Sequence, residues 1–229
     1  RENVTVILSD DGNTTSGFIL TNDQVPENQP AGTEVGKFIS NKNEDGELPA
    51  FKIVGGRHNK DFTLDENRLL TTRALDFEKG FQREIFIRMT NGAEGEEDHG
   101  FTIEVTDAND APTGIRLEPA SIAENATMGT EVGLLSAVEP DAGDRHSFGI
   151  TGGADKDSFK VEGHRLLTNA LFDFETRPVL EVIIRVTDAA GASLESTLQV
   201  NVTDVDEPDT RIVLDNDNVP ENQPTDTLV

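Results

Sequence analysis

Three oxygen-bearing side chains, Asp107, Asn109 and Asp110, fall within four positions near the middle of the chain, and a proline closes the stretch. Strand-like runs precede and follow it, at 101–105 and 114–117. Carboxylates packed this densely between two strands repel one another unless a cation lies among them. Calcium is the hard cation suited to several carboxylate and carbonyl oxygens at once. The stretch therefore predicts a calcium-filled joint between two tandem modules.

The residues of the chain give little support to catalytic chemistry. Ser, His and Asp are all present, but no activated-nucleophile signature such as G-x-S-x-G accompanies them. Asp76 and Glu78 could imitate a glycosidase pair, yet the pair recurs within a structural motif and lacks an aromatic platform for sugars. We therefore expect no enzyme. The histidines lack ligand spacing, and we expect exposed or edge-strand positions for His58, His99, His146 and His164.

Composition restricts the partners. The 229 residues carry 44 acidic and 19 basic side chains, a formal charge of −25, which argues against binding to nucleic acid or to anionic membrane surfaces. No apolar run approaches the ~20 residues that span a bilayer, so we expect no membrane insertion. Without cysteine there is neither a disulfide framework nor a thiolate site. The chain looks like a fragment of a longer protein.

One sequence unit repeats in a single gapless register. Glu27, in Pro-Glu-Asn, recurs as Glu124 and Glu221, at intervals of 97 residues (124 − 27 and 221 − 124). Leu-Asp-Phe-Glu at 75–78 recurs as Phe-Asp-Phe-Glu at 172–175, again 97 residues later. We expect two complete repeats, 19–112 and 113–209. Residues 1–18 would end a preceding repeat and 210–229 would begin a truncated third one.

Each repeat is predicted to be all-β. Leu180, Val182, Ile184 and Val186 alternate with Glu181, Ile183 and Arg185, which is the period-2 pattern of a half-buried strand. Shorter strands are expected at 131–136 and 147–151, and paired glycines mark the same turn in both copies. No segment has the period of a substantial helix. Short strands with frequent turns in a unit near 100 residues are typical of a Greek-key, immunoglobulin-like sandwich.

The motifs, taken in order, resemble the cadherin repeat. Pro-Glu-Asn at 26–28, Leu-Asp-Phe-Glu at 75–78 and Asp-Ala-Asn-Asp-Ala-Pro at 107–112 are similar to the family's P-E-N, L-D-R-E and D-x-N-D-x-x-P. The segment 135–144, followed by Phe148, is most similar to cadherin-like repeats of large bacterial surface adhesins. The resemblance implies tandem seven-stranded sandwiches of the cadherin type, joined by calcium-binding linkers.

The resemblance also implies two sets of calcium ligands. At the first junction, which would hold two or three Ca²⁺ ions, it implies Glu27, Asp76, Glu78, Asp107, Asn109, Asp110, Glu139, Asp141 and Asp188. This set has eight carboxylates and one amide. At the second junction, a partial site with fewer ions, it implies Glu124, Asp173, Glu175, Asp204, Asp206 and Glu207. Glu139 stands where the family usually has Asp.

The function that this implies is calcium-dependent adhesion or spacing at the cell surface or outside the cell, with calcium rigidifying the array. Besides calcium, a second copy of the chain, a cell-surface protein or a polysaccharide could be the partner. The alternative is a calcium-dependent polysaccharide-binding module of a bacterial surface or secreted protein. The lack of Trp and Tyr counts against that alternative, because sugar faces usually stack on aromatic rings.

Overall fold

The chain forms β-strands because its apolar side chains alternate with polar ones, so that each strand can bury one face. The computed structural model describes residues 17–40, 48–90, 92 and 95–207. In that part of the chain strands predominate, and helix is limited to short 3-10 turns such as Asn59–Asp61 and Lys156–Ser158. None of the helical segments described there is long and apolar enough to cross a membrane.

The described residues divide into two compact units. The first unit holds the described residues up to Asp110 together with Pro140–Gly143, and the second holds Ala111–Glu139 and the described residues from Asp144 onwards. The partial repeats predicted at the two ends of the chain lie almost wholly outside the described residues. The repeat boundaries at 18/19, 112/113 and 209/210 stay predictions.

The first unit contains eight strand segments: β1 (Phe18–Leu20), β2 (Gln24–Pro26), β3 (Glu34–Ser40), β4 (Ala50–Gly55), β5 (Phe62–Asp65), β6 (Arg68–Thr71), β7 (Gln82–Thr90) and β8 (Glu96–Thr106). They form two four-stranded sheets, in the orders β1-β3-β6-β5 and β2-β8-β7-β4. β1 pairs antiparallel with β3, whereas β2 pairs parallel with β8. The first strand of the predicted seven is thus divided between the two sheets.

The second unit repeats this arrangement with β9 (Gly114–Glu118), β10 (Ser121–Ala123), β11 (Glu131–Val138), β12 (Ser147–Gly152), β13 (Phe159–Glu162), β14 (Arg165–Thr168), β15 (Val179–Thr187) and β16 (Ser193–Thr203). Its sheets have the orders β9-β11-β14-β13 and β10-β16-β15-β12. β11 runs two residues beyond the predicted strand at 131–136. The predicted all-β sandwich is confirmed in both units.

Each unit has its own apolar core between its sheets. In β7 the alternate residues Ile85, Ile87 and Met89 are buried, as the period-2 pattern predicts. Phenylalanine supplies the aromatic packing of the first core, where the Phe18 and Phe38 ring centroids lie 5.8 Å apart in an edge-on arrangement. The core of the second unit relies more on aliphatic side chains such as those of β15.

The predicted glycine turns end β4 and β12. Gly153 has φ of +99°, in the region that residues with a Cβ rarely adopt. A Cβ added there would lie 2.6 Å from the Val182 Cα and 2.7 Å from the Glu181 carbonyl oxygen. Backbone atoms cannot move aside as a flexible side chain can. Gly149, on the same strand, has open space around the position of an added Cβ.

We expect Gly153→Ala to lower the free energy of unfolding by roughly 2–4 kcal/mol, since it combines backbone strain with a steric clash. Gly149→Ala is the matched control and should change stability by less than about 0.5 kcal/mol. Urea unfolding followed by far-UV circular dichroism measures both. Equal losses for the two variants would show that the close approach at Gly153 is not what fixes the turn.

Candidate calcium site and family

The site of the first unit begins with a glutamate at the end of β2. Glu27 is fully buried, and its carboxylate joins two segments that are distant in the chain. Its Oε2 accepts a hydrogen bond from the Phe77 backbone N–H at 2.7 Å, and its Oε1 accepts one from the Ala108 N–H at 3.0 Å. Glu27 therefore ties the Leu-Asp-Phe-Glu segment to the stretch after β8.

The neighbouring Asn28 reaches the same stretch from a left-handed backbone conformation, with φ of 60°. Asparagine tolerates this region better than most residues. Its Nδ2 donates a hydrogen bond to Asp110 Oδ1 at 2.8 Å, while its backbone N–H donates to the Leu75 carbonyl. The Pro-Glu-Asn motif thus holds two loops that carry acidic side chains. It also contributes the carboxylate of Glu27 to the same site.

Five carboxylates of the first unit form a continuous chain. Glu27, Asp76 and Glu78 each place one oxygen within 4.8 Å of the others, and so do Glu78, Asp110 and Asp141. Glu78 belongs to both groups and links them. The Asp110 backbone N–H also donates to Asp141 Oδ2 at 2.8 Å. All five residues were predicted as ligands of the first junction.

The electrostatics of this chain of carboxylates favour a cation. Burial, followed by repulsion from Glu27, Asp110 and Asp141, raises the pKa of Glu78. Burial likewise raises the pKa of Asp110, and Glu27 and Asp141 add to the shift. In contrast, the side chain of Lys79 lowers the pKa of Asp76, because its Nζ lies 2.7 Å from Asp76 Oδ2. Lys79 thus offsets the negative charge of Asp76, at one end of this chain of carboxylates, and not that of the other four.

The other four predicted ligands of the first junction lie outside these two groups, and one of them, Glu139, belongs to a separate group with Asp144 and His146. Asp107 and Asn109 are exposed, and Asn109 Nδ2 donates to the Asp110 carbonyl at 2.9 Å. Asp188 is buried and organises the turn between β15 and β16, since its Oδ1 accepts hydrogen bonds from the Gly191 and Ala192 N–H groups. A local structural role accounts for these contacts of Asp188.

The second unit repeats the buried glutamate. Glu124 Oε2 accepts a hydrogen bond from the Phe174 N–H and Oε1 accepts one from the Val205 N–H, both at 2.8 Å. Asn125, again left-handed, donates to Glu207 at 2.6 Å. Glu124 and its partners stand 97 residues after Glu27 and its partners. The repeat in sequence is therefore also a repeat in hydrogen bonding.

The acidic group of the second unit is smaller than that of the first. Glu124, Asp173 and Glu175 each place an oxygen within 4.8 Å of the others. Hydrogen bonds from the Thr176 hydroxyl and backbone N–H lower the pKa of Asp173. Among the described residues, Asp204, Asp206 and Glu207 lie outside this group and are exposed. Asp204 and Glu207 still act on this group, since burial and repulsion from Glu124, Asp204 and Glu207 raise the pKa of Glu175.

One histidine lies beside two carboxylates that could share a metal ion with it. His146 is half-buried, and its Nε2 lies 2.9 Å from Glu139 Oε2. Asp144 completes a group of three whose ligand atoms lie within 4.8 Å of one another. The spacing Glu-x4-Asp-x-His was the available signal. The resemblance to the cadherin repeat instead assigns Glu139 to calcium.

Comparison with known proteins agrees with the fold and the motifs. The family model described as the cadherin domain matches residues 118–203. Protocadherin-16 of Mus musculus is 29% identical over 200 residues, covering 81% of this chain and 6% of that protein. The chain thus spans a small part of the curated relatives' length. Residues 118–203 thus match the cadherin domain model, and the chain is similar to cadherins and protocadherins over most of its length.

Comparison with solved structures also agrees with the fold. A cis-dimer structure of protocadherin gammaB7 EC3-6 matches with a TM-score of 0.54 and 26% identity, covering 82% of this chain and 48% of that one. Human protocadherin-24 EC1-2 matches with a TM-score of 0.62 over 83% of this chain and 97% of that one, but at 18% identity it speaks for the fold alone. The resemblance to bacterial adhesin repeats finds no support, since the relatives named in these comparisons are animal proteins.

The buried glutamate gives a pH-dependent prediction. The Phe174 and Val205 N–H groups lower the pKa of Glu124 from its ordinary value of 4.5, so the ionised form stabilises the folded state. This stabilisation is present above pH 4.5 and is lost as the pH falls through the lower folded-state pKa. In EDTA, Glu124→Gln should therefore unfold more easily than wild type at neutral pH, and the difference should shrink in acid.

Thermal unfolding at several pH values between neutral and about pH 3 measures this difference. Glu181→Gln, an exposed change on β15, is the control and should follow wild type throughout. A constant difference between Glu124→Gln and wild type across this range would contradict the role given to the carboxylate.

Proposed function

We propose that the chain is a calcium-dependent adhesion and spacer module that acts outside the cell or at its surface. Cadherin domains generally bind calcium, and they are adhesion modules. The observation that carries the proposal is the chain of five carboxylates in the first unit, built around the buried Glu27. The matched animal cadherins and protocadherins support the extracellular location.

The side chains of the first unit fit calcium. They offer oxygen donors only, they carry more negative charge than Lys79 offsets, and Glu27 and Asn28 hold the loops that present them. We propose that Glu27, Asp76, Glu78, Asp110 and Asp141 hold calcium there. Asp107, Asn109 and Asp188 would complete this set, whereas Glu139, also predicted as a calcium ligand there, lies in the group with Asp144 and His146. Bound calcium supplies positive charge that neutralises the carboxylates and fixes the linker.

In the second unit, Glu124, Asp173 and Glu175 would hold calcium, with Asp204, Asp206 and Glu207 following them along the chain. Fewer carboxylates cluster there, so we propose fewer ions than the two or three at the first junction. We also propose the repeat boundaries 19–112 and 113–209, because the 97-residue register and the strand order agree in both units. Residues 1–16 and 208–229 lie outside the described part of the chain.

A second copy of the chain is the partner that we propose for adhesion. The support is that one matched structure, of protocadherin gammaB7, is a cis-dimer. Polysaccharide binding, the alternative from the sequence, finds no support in the comparisons. Analytical ultracentrifugation in calcium and in EDTA tests self-association directly.

Calcium should restrict the motion of the two repeats. We expect small-angle scattering in millimolar calcium to give a fixed maximum dimension, and scattering in EDTA to give a broad distribution, because unneutralised carboxylates repel. Asp110→Asn should weaken calcium binding at least tenfold by calorimetry and remove the effect on scattering. Asp98→Asn, an exposed change on β8, is the control. Scattering profiles that are the same in calcium and in EDTA, together with no heat of calcium binding, would refute the proposal.

Lys79 should tune the affinity of the first site. The Lys79 Nζ pairs with Asp76 in the first unit. At the corresponding position of the second unit, the Thr176 hydroxyl donates a hydrogen bond to Asp173. A calcium ion must therefore compete with the ammonium group in the first unit only. Lys79→Thr should tighten calcium binding by about two- to fivefold, the scale of an exposed ion pair, and Thr176→Lys should weaken it in the second unit. Calorimetry of both variants measures this, and unchanged affinities would show that Lys79 does not compete with calcium.

A further inference from the structure

A group of mixed ligands lies at the two ends of the loop between β11 and β12 in the second unit. Glu139 follows β11 directly and His146 precedes β12 directly. Their side chains are 7% and 14% exposed, so both are largely withdrawn from solvent. Asp144 lies between them in sequence, and one ligand atom from each of the three residues lies within 4.8 Å of the others.

The contact between His146 and Glu139 leaves one carboxylate oxygen of the third residue, Asp144, without a hydrogen bond. Asp144 Oδ1 accepts a hydrogen bond from the Arg145 backbone N–H at 2.6 Å. Asp144 Oδ2 is buried and accepts no hydrogen bond in the structure. A buried carboxylate oxygen left in this way costs free energy unless an ion or water satisfies it. The atom belongs to the same group as the imidazole of His146.

The donor set identifies the class of ion. One imidazole nitrogen and two carboxylates suit zinc and similar divalent transition metals, whereas calcium takes oxygen ligands. Zinc holds such ligands at ~2.0–2.2 Å, which places neighbouring tetrahedral ligands about 3.3–3.5 Å apart. The 2.9 Å between His146 Nε2 and Glu139 Oε2 is close to this spacing. Small side-chain adjustments would open the group around an ion.

We propose that Glu139, Asp144 and His146 form a zinc-type transition-metal site, distinct in chemistry from the calcium sites, with water completing the coordination. A divalent ion would balance the two carboxylates beside a neutral imidazole. It would also fix the loop that crosses from one sheet of the second unit to the other. Ninety-seven positions earlier stand Lys42, Glu47 and Pro49, so the first repeat lacks the ligand set, and one ion per chain is expected.

The test is calorimetric titration of the whole chain with zinc, first without calcium and then in excess calcium, with cobalt absorption spectra as a second readout. We expect one zinc ion per chain under both conditions. His146→Ala and the milder Asp144→Asn should each weaken zinc binding at least tenfold. Circular dichroism checks that the variants are folded, and their calcium titrations show whether the calcium sites are intact.

His99→Ala is the matched control. His99 Nε2 lies 2.5 Å from Glu97 Oε1 in the first unit, yet that pair belongs to no group of three among the described residues. Zinc binding should be unchanged in this variant.

Three results would overturn the proposal. They are no uptake of zinc, uptake that survives both His146→Ala and Asp144→Asn, and displacement of zinc by calcium. Displacement would assign Glu139 to calcium, with His146 as its hydrogen-bond partner. Because the calcium titrations are separate, failure of the zinc site is distinguishable from failure of the calcium proposal.

Discussion

A buried carboxylate at the end of the second strand segment holds each unit's acidic loops in place. Glu27 accepts backbone hydrogen bonds from residues 50 and 81 positions further along the chain, and Glu124 does the same in the second unit. A buried charge is tolerated only when hydrogen bonds or ions compensate for lost hydration. Two N–H donors begin that compensation, and a cation beside the carboxylate would extend it. The placement of the other acidic residues follows from this constraint.

Among the described residues, the first unit gathers more carboxylates into linked groups than the second. Burial raises the pKa of Glu78 and of Asp110, and repulsion from neighbouring carboxylates adds to both shifts. Lys79 relieves this at Asp76 alone. A calcium ion would act on the whole chain of carboxylates at once, which makes binding of the ion and ordering of the linker a single event. We infer that this coupling is the basis of a rigid array.

Much of the fold could be predicted from the sequence. The 97-residue register fixed which residues correspond, and period-2 patterns such as that of β15 identified the buried faces. The resemblance to the cadherin repeat assigned Glu27, Asp76, Glu78 and Asp110 to one predicted site, and the structure places them in one chain of carboxylates. Such features depend on order along the chain, which the sequence shows directly.

Other features depend on distances across the sandwich, which the sequence does not show. The first strand divides between two sheets because β1 and β2 find different partners. The ion pair made by a buried aspartate also changes position between the units, since Arg83 pairs with Asp61 in one and Arg177 with Asp155 in the other. The group around His146 also depends on the folded loop, which brings its three members together.

The most direct test of the account is a crystal structure of the chain grown in millimolar calcium. The account predicts electron density for an ion bound by Glu78, Asp110 and Asp141, with oxygens at ~2.3–2.6 Å. It also predicts that the Glu27 hydrogen bonds to Phe77 and Ala108 are retained. Water alone among these carboxylates at saturating calcium, with any ion bound elsewhere, would contradict it.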